Sequence, residues 1–387
     1  MIQDNIIRLD ITDNMEKFKD LTSLGITNFS GTIALSVFWL YIAALVGDVE
    51  YGNIGFLLAT AGIVSTITLL GSQQTLVIYR AKDVRIESTI FLIVIVSAVI
   101  GSLITFLFLN SSEVSIYILG VAFFSLVMNE SLGRKDYRKY SWGFFSQKIL
   151  AIILSLILYY IIGIEGIILG YALSFCPFFI FFYKTLRDVP INFTLLRPRS
   201  GFMMTNYAIT LLHSFSIRLD KLLILPLFGA SLLGNYLLGF QIFYSLLLIS
   251  STVFQYVLPQ DSSGINHIKL KKLTILASVL ISVIAVILAP IIIPLLFPDF
   301  TESVLIVQIM SIAITPSSIS LMLTSKFLAD EKIKIVIVGR MIELASMIAG
   351  IFGLGSIFGV VGAAMAFSIS AILATIYFFI VQKLQKN

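Results

Sequence analysis

The chain has 387 residues, of which 58% are apolar and 12% charged, with a mean hydropathy of +1.01. A soluble domain is nearer half apolar and a quarter charged, so this composition cannot cover a globule of this size with polar surface. Water is excluded as its main solvent. The single cysteine, Cys176, excludes a disulfide framework and a cysteine-based metal site.

The first 24 residues are polar and mixed in charge, unlike a cleavable signal sequence. Within them Met15, Phe18, Leu21 and Leu24 recur at helical spacing, which predicts a short interfacial helix. Apolar runs long enough to span a bilayer as helices follow at 25–46, 53–78, 89–109, 113–130, 142–163 and 165–183. After a polar linker at 184–200, six more lie at 201–228, 233–258, 273–297, 300–325, 333–354 and 357–381. Alternating β-barrel strands do not fit such runs. The expected architecture is an all-α polytopic membrane protein of twelve transmembrane helices. An N-terminal six-helix lobe covers 25–183 and a C-terminal one 201–387.

Loop charge supports this count. Placing the N-terminus inside gives the internal segments 22 of the 26 basic residues and the external loops none, as the positive-inside rule requires. Both termini are therefore expected to be cytoplasmic, in a membrane expected to be a prokaryotic plasma membrane. The net charge of +5 becomes a topology signal, and nucleic acid loses its support as a partner. Within the basic loops, RKDYRKY at 134–140 reads as positive-inside charge, with contact to anionic lipid as the alternative.

The halves align without a gap at a shift of 182 residues from Gly47 to Gln73. GDVEYGN (47–53) falls on GASLLGN (229–235), and Gln73 on Gln255. An even number of helices per repeat gives both copies one orientation, related by an axis along the membrane normal, with a cleft between the bundles.

Charge within a span is costly, by about 2.5–3.5 kcal/mol on insertion scales, and normally faces a cavity or a partner. The seventh span carries Arg218, Asp220 and Lys221, roughly 12–17 Å below the turn at Gly229 at 1.5 Å per residue. Their equivalents in the first span are Ser36, Phe38 and Trp39, so the charge belongs to the second half. In one reading Asp220 neutralises its neighbours and fixes packing. In the other, Arg218 and Lys221 face the cleft and hold a phosphate or pyrophosphate. Arg340 and Glu343 in the eleventh span are three residues apart and can satisfy each other, or Glu343 can serve as a proton or cation site. Gln73 and Gln255 are candidate polar contacts for a sugar. Lys148 is read as snorkelling to the interface. Pro226, Pro290, Pro294 and Pro316 interrupt spans and mark bends, static or moving. No catalytic constellation, metal site or P-loop is present in the sequence, and no cofactor is expected.

Three stretches carry a family resemblance: LVGDVEYGNIGFLLATAGIVSTITLLGSQQTLVIYR, SIRLDKLLILPLFGASLLGNY and SIFGVVGAAMAFSIS. With these the chain resembles the multidrug/oligosaccharidyl-lipid/polysaccharide (MOP) transporter superfamily, most closely its polysaccharide flippase branch. The resemblance implies a MATE-like fold of two six-helix lobes around a central cavity, working by alternating access. It implies a lipid-linked oligosaccharide or polysaccharide precursor as substrate, with membrane lipids and glycan-assembly proteins as partners. Arg218, Lys221, Arg340, Gln73 and Gln255 would then bind substrate, and Asp220 and Glu343 would couple ions or balance charge. The alternatives are a cation-coupled multidrug exporter of the same superfamily and a lipid scramblase or membrane scaffold. Exporters of that kind commonly place an acid in the first span, and 25–46 has none.

Overall fold

A long apolar segment in lipid must satisfy its backbone hydrogen bonds internally, and helices do so. The computed structural model describes residues 2–263 and 267–385, with side chains from Phe29 onward except Pro259. It is helical throughout, and no strand occurs among the described residues. In chain order the helices are α1 (Ile2–Leu69), α2 (Ser72–Ala81), α3 (Glu87–Leu109), α4 (Ser112–Gly133), α5 (Tyr137–Ile162), α6 (Glu165–Leu173) and α7 (Phe179–Asp188). There follow α8 (Phe193–Leu196), α9 (Ser200–Phe228), α10 (Ala230–Ser262), α11 (Ile268–Leu296), α12 (Ser303–Ile312), α13 (Ile314–Ala329) and α14 (Ile333–Leu384). The expected amphipathic face at Met15–Leu24 lies outside the described side chains.

Nine helical stretches among the described residues are long and apolar enough to cross a membrane. Two of them contain a turn. α1 breaks at Gly47 (φ 77°) and α14 at Gly359 (φ 59°). In α14 the arms fold back on each other, because a Cβ on Gly362 would lie 2.1 Å from the Leu354 carbonyl oxygen. In α1 the residues flanking the outer part of the hairpin, 37 and 61, return to one compact unit. Adding α9, which is as long but carries Arg218, Asp220 and Lys221, gives the twelve crossings expected. The chain is a multi-pass membrane protein.

Local differences from the sequence reading have local causes. The second crossing is split at Leu70–Gly71, both with positive φ, before α2 continues it. The tenth is split at Ala313, so Pro316 sits in the first turn of α13, where a missing N–H costs no helical bond. The 184–200 segment is largely helical, and it packs inward. Val189 and Leu196 are buried, and the Asn192 N–H donates to Thr89 Oγ1 at 2.8 Å.

Two compact units result. The first comprises 1–37 and 61–211, and the second 38–60 and 212–387. The linker and the start of α9 thus group with the first unit, while 38–60 groups with the second. The first unit is packed around aromatic side chains such as Phe91, Phe124, Phe178 and Phe182, with Phe91 and Phe182 stacked at 5.1 Å. In the second, Ala363, Ala364 and Ala366 of α14 pack among Tyr236, Met310 and Met347. Small residues allow the close backbone approach on which helix association in lipid depends.

The segment 38–60 is held in the second unit by the repeated turn. Gly47 and Gly229 both take positive φ, 77° and 92°. A Cβ on Gly52 would lie 2.0 Å from Ala230 O, and one on Gly234 would lie 1.9 Å from Asp48 O. Ala230 and Asp48 are themselves one repeat apart, so the crossing is reciprocal. Asp48 accepts hydrogen bonds from Ser231 Oγ and, at 3.4 Å, from Asn235 Nδ2. Tyr51 meets Phe300 edge to face at 5.9 Å.

Candidate functional site: a charged cluster in the second unit

α9 and α14 bring the second unit's span charges together, and α10 supplies their aromatic surroundings. Asp220 is wholly buried and Lys221 is 5% exposed. The Lys221 ammonium donates to both Asp220 oxygens, at 3.0 and 2.9 Å, and to Ile217 O at 2.6 Å. Tyr236 Oη donates to Asp220 Oδ2 at 2.8 Å, and Lys221 Nζ lies 3.2 Å from the centre of the Phe240 ring. Three acceptor oxygens and a cation–π contact therefore occupy Lys221 fully. It does not stand beside Arg218 as an open anion ligand, as the sequence reading had it. Asp220 likewise has its charge compensated within the helix.

Arg218 differs. It is half-buried, and its Nη1 donates to Ser214 Oγ at 3.0 Å, one turn back. It forms no ion pair among the described residues. A guanidinium has five donors, so most of its hydrogen-bonding capacity is left for something else. On α14, Arg340 Nη1 and Glu343 Oε2 lie 2.6 Å apart, each side chain about one-third exposed (33% and 28%). Arg218, Arg340 and Glu343 are all within electrostatic reach of His213, and Tyr244 is within reach of the same three. The two ion pairs cancel internally. The cluster keeps one net positive charge, at Arg218.

Gln255 is not gathered here. Gln73 belongs to α2 in the first unit. Gln255 is exposed on α10, eleven residues and about 16 Å of helix beyond Tyr244. Sequence reasoning also missed Tyr236 and Phe240. Their repeat equivalents are Ile54 and Leu58, so aromatic side chains at these two positions in the second half alone were the available signal.

The first unit holds a second isolated cation. Lys148 lies eleven residues into α5, and its Nζ donates to Thr32 Oγ1 at 2.9 Å. Its aliphatic stem packs on Gly31, where a Cβ would lie 3.0 Å from Lys148 Cδ. The expected snorkelling is therefore corrected: Lys148 ties α5 to α1 within the helical layer.

No protein-family model and no curated protein matches the sequence. Solved structures do match across almost the whole chain. A lipid II flippase, MurJ, in its inward closed conformation superposes with a TM-score of 0.74 at 15% identity, covering 93% of this chain and 87% of that one. A multidrug resistance MATE-family transporter of the MOP superfamily matches in its inward-facing conformation with a TM-score of 0.67 at 14% identity, covering 92% and 94%. An outward-facing conformation of such a transporter matches at 0.66 and 15% identity, covering 95% of each chain.

The fold is that of the MOP-superfamily transporters.

At identities this low the likeness is one of architecture.

Proposed function

We propose that this protein is a flippase that carries a lipid-linked oligosaccharide or polysaccharide precursor across the membrane by alternating access. Arg218 would hold the phosphate or pyrophosphate of the head group. The observation that carries this reading is the asymmetry of the cluster: both acids have a basic partner, and Arg218 has no acidic one. A cation-coupled exporter needs a carboxylate free to exchange an ion, and Asp220 and Glu343 each face a basic partner within 3 Å. An unpaired arginine at mid-span is costly in lipid and is compensated when an anion is bound. Its planar fork suits phosphate oxygens. Arg340 is the second ligand in this scheme, donating with the N–H groups that Glu343 leaves open. The loop charges support both termini on the cytoplasmic side of a prokaryotic plasma membrane, with substrate accepted from that side.

The test is glycan export in cells carrying Arg218→Gln or Arg218→Lys. Export is expected to fall at least tenfold with glutamine and to recover in part with lysine, at equal membrane abundance. Unchanged export in Arg218→Gln overturns the reading.

A further inference from the structure

A second concentration of charge lies in the first unit, at its basic-loop end, apart from the span cluster. There α2, α3, α4, α5 and α7 converge on a cavity of about 380 Å³. Two buried carboxylates line it. Glu87 is wholly buried with Arg80 Nε 2.8 Å from its Oε1. Glu130, 2% exposed, pairs with Arg134, and its Oε2 accepts from Thr185 Oγ1 at 3.1 Å. These pairs hold Arg80 and Arg134 in the wall and leave guanidinium N–H groups over.

Three further cations line the cavity: Arg85, Lys139 and Lys184. Among the described residues no carboxylate lies within ion-pair distance of any of them. The remaining acid of the lining is Asp188. Five cations thus face three carboxylates. Positive-inside bias requires basic loops but does not require basic side chains from three helices and two connections to converge on one cavity.

The surroundings point to a lipid. Trp142, one turn along α5 from Lys139, is 59% exposed, and Tyr183 on α7 is 60% exposed. Aromatic side chains of this kind sit at the head-group level of a bilayer. Ile180, 70% exposed, continues the apolar surface, and Lys139 Nζ lies 4.6 Å from the centre of the Phe181 ring beside the cavity. We propose that this cavity binds the phosphate of an anionic membrane lipid. Arg85, Lys139 and Lys184 contact its oxygens, and its chain lies along Ile180 and Tyr183. Arginine supplies the fork and lysine the point charge that such a head group takes.

The experiment uses the full chain with Trp39→Phe, which leaves Trp142 as the one tryptophan. In phosphatidylcholine bilayers, brominated phosphatidylglycerol at low mole fraction is expected to quench Trp142 more than brominated phosphatidylcholine does. Adding Arg85→Gln, Lys139→Gln and Lys184→Gln should lower this selectivity at least tenfold, a surface cation near anionic lipid being worth about a factor of five. Lys184→Gln alone should remove part of it. Removing three basic charges elsewhere, with Lys269→Gln, Lys272→Gln and Lys334→Gln, should leave it intact. Competition identifies the source of the phosphate. Stronger displacement by a polyprenyl phosphate marks a carrier lipid, and stronger retention of phosphatidylglycerol marks a bilayer phospholipid. Four results overturn the proposal: equal quenching by both lipids, selectivity unchanged in the triple and Lys184→Gln variants, selectivity lost equally in the remote control, or relief of quenching by inorganic phosphate alone.

Discussion

Gly52 and Gly234 cross without room for a methyl group on either side, each lying against the backbone carbonyl of the residue four positions before the other. The obstruction is backbone, so no side chain can swing away to relieve it. Overpacking of this kind costs about 1–3 kcal/mol. Gly52→Ala and Gly234→Ala should each lower the Tm of the detergent-solubilised protein, whereas Gly353→Ala, with nothing within 4 Å of the added Cβ, should not. Equal Tm values across the three variants would show that the crossing does not support this state.

The repeat predicts similar roles for Asn53 and Asn235, but the structure gives them different ones. Asn235, 1% exposed, accepts from the Glu302 N–H at 3.2 Å and from Ser303 Oγ at 3.0 Å, and donates to Ser231 O at 2.9 Å. Asn53 makes a single 3.4 Å bond to Glu50. Leaving buried partners unsatisfied costs about 1–3 kcal/mol, so Asn235→Ala should lower the Tm by several degrees and Asn53→Ala by much less. Equal shifts would mean that the bonds to the 302–303 turn contribute nothing.

Breaking the Lys221–Asp220 pair from one side leaves a buried charge, at a cost of about 3–5 kcal/mol. Lys221→Met should therefore destabilise strongly, and Asp220→Asn with Lys221→Met should restore most of the loss, since Tyr236 can still donate to the amide oxygen. A double-mutant cycle on thermal stability measures this coupling. Additive losses would refute a private pair.

Glu343 separates the two transport readings, because they predict opposite signs. Arg340–Glu343 is a part-exposed pair, and such pairs are worth about 0–1 kcal/mol. Glu343→Gln frees Arg340 for an anion, so the flippase reading expects the KM for a phosphate-bearing head group to fall, by up to about fivefold. A cation-coupled exporter would lose transport with the same substitution. The measurement is substrate-dependent transport in proteoliposomes, with and without a cation gradient.

Most of the helical layout was legible in the residues. The turns at Gly47 and Gly229 lie between apolar runs, the one at Gly359 falls just inside the last run, and the basic loops recur at every second connection. The seventh span declared itself through Arg218, Asp220 and Lys221. The division of labour among those three did not. Asp220 pairs with its immediate neighbour because Tyr236 and Phe240, from the next helix, enclose both side chains. Lys148 read in sequence as reaching for the interface, and its partner Thr32 is 116 residues away. The basic cavity draws its cations from three helices and the connections at 82–86 and 134–136, and only RKDYRKY hinted at it.

Sequence alone determined where the backbone must be helical and which loops are basic. Both follow from solvent: lipid offers no hydrogen bonds to an open backbone, and cationic loops are retained on one side of the membrane. Tertiary structure decided which charges are spent on each other and which remain for a ligand. That outcome depends on distances of a few ångströms between helices far apart in the chain, and a linear pattern does not encode those distances.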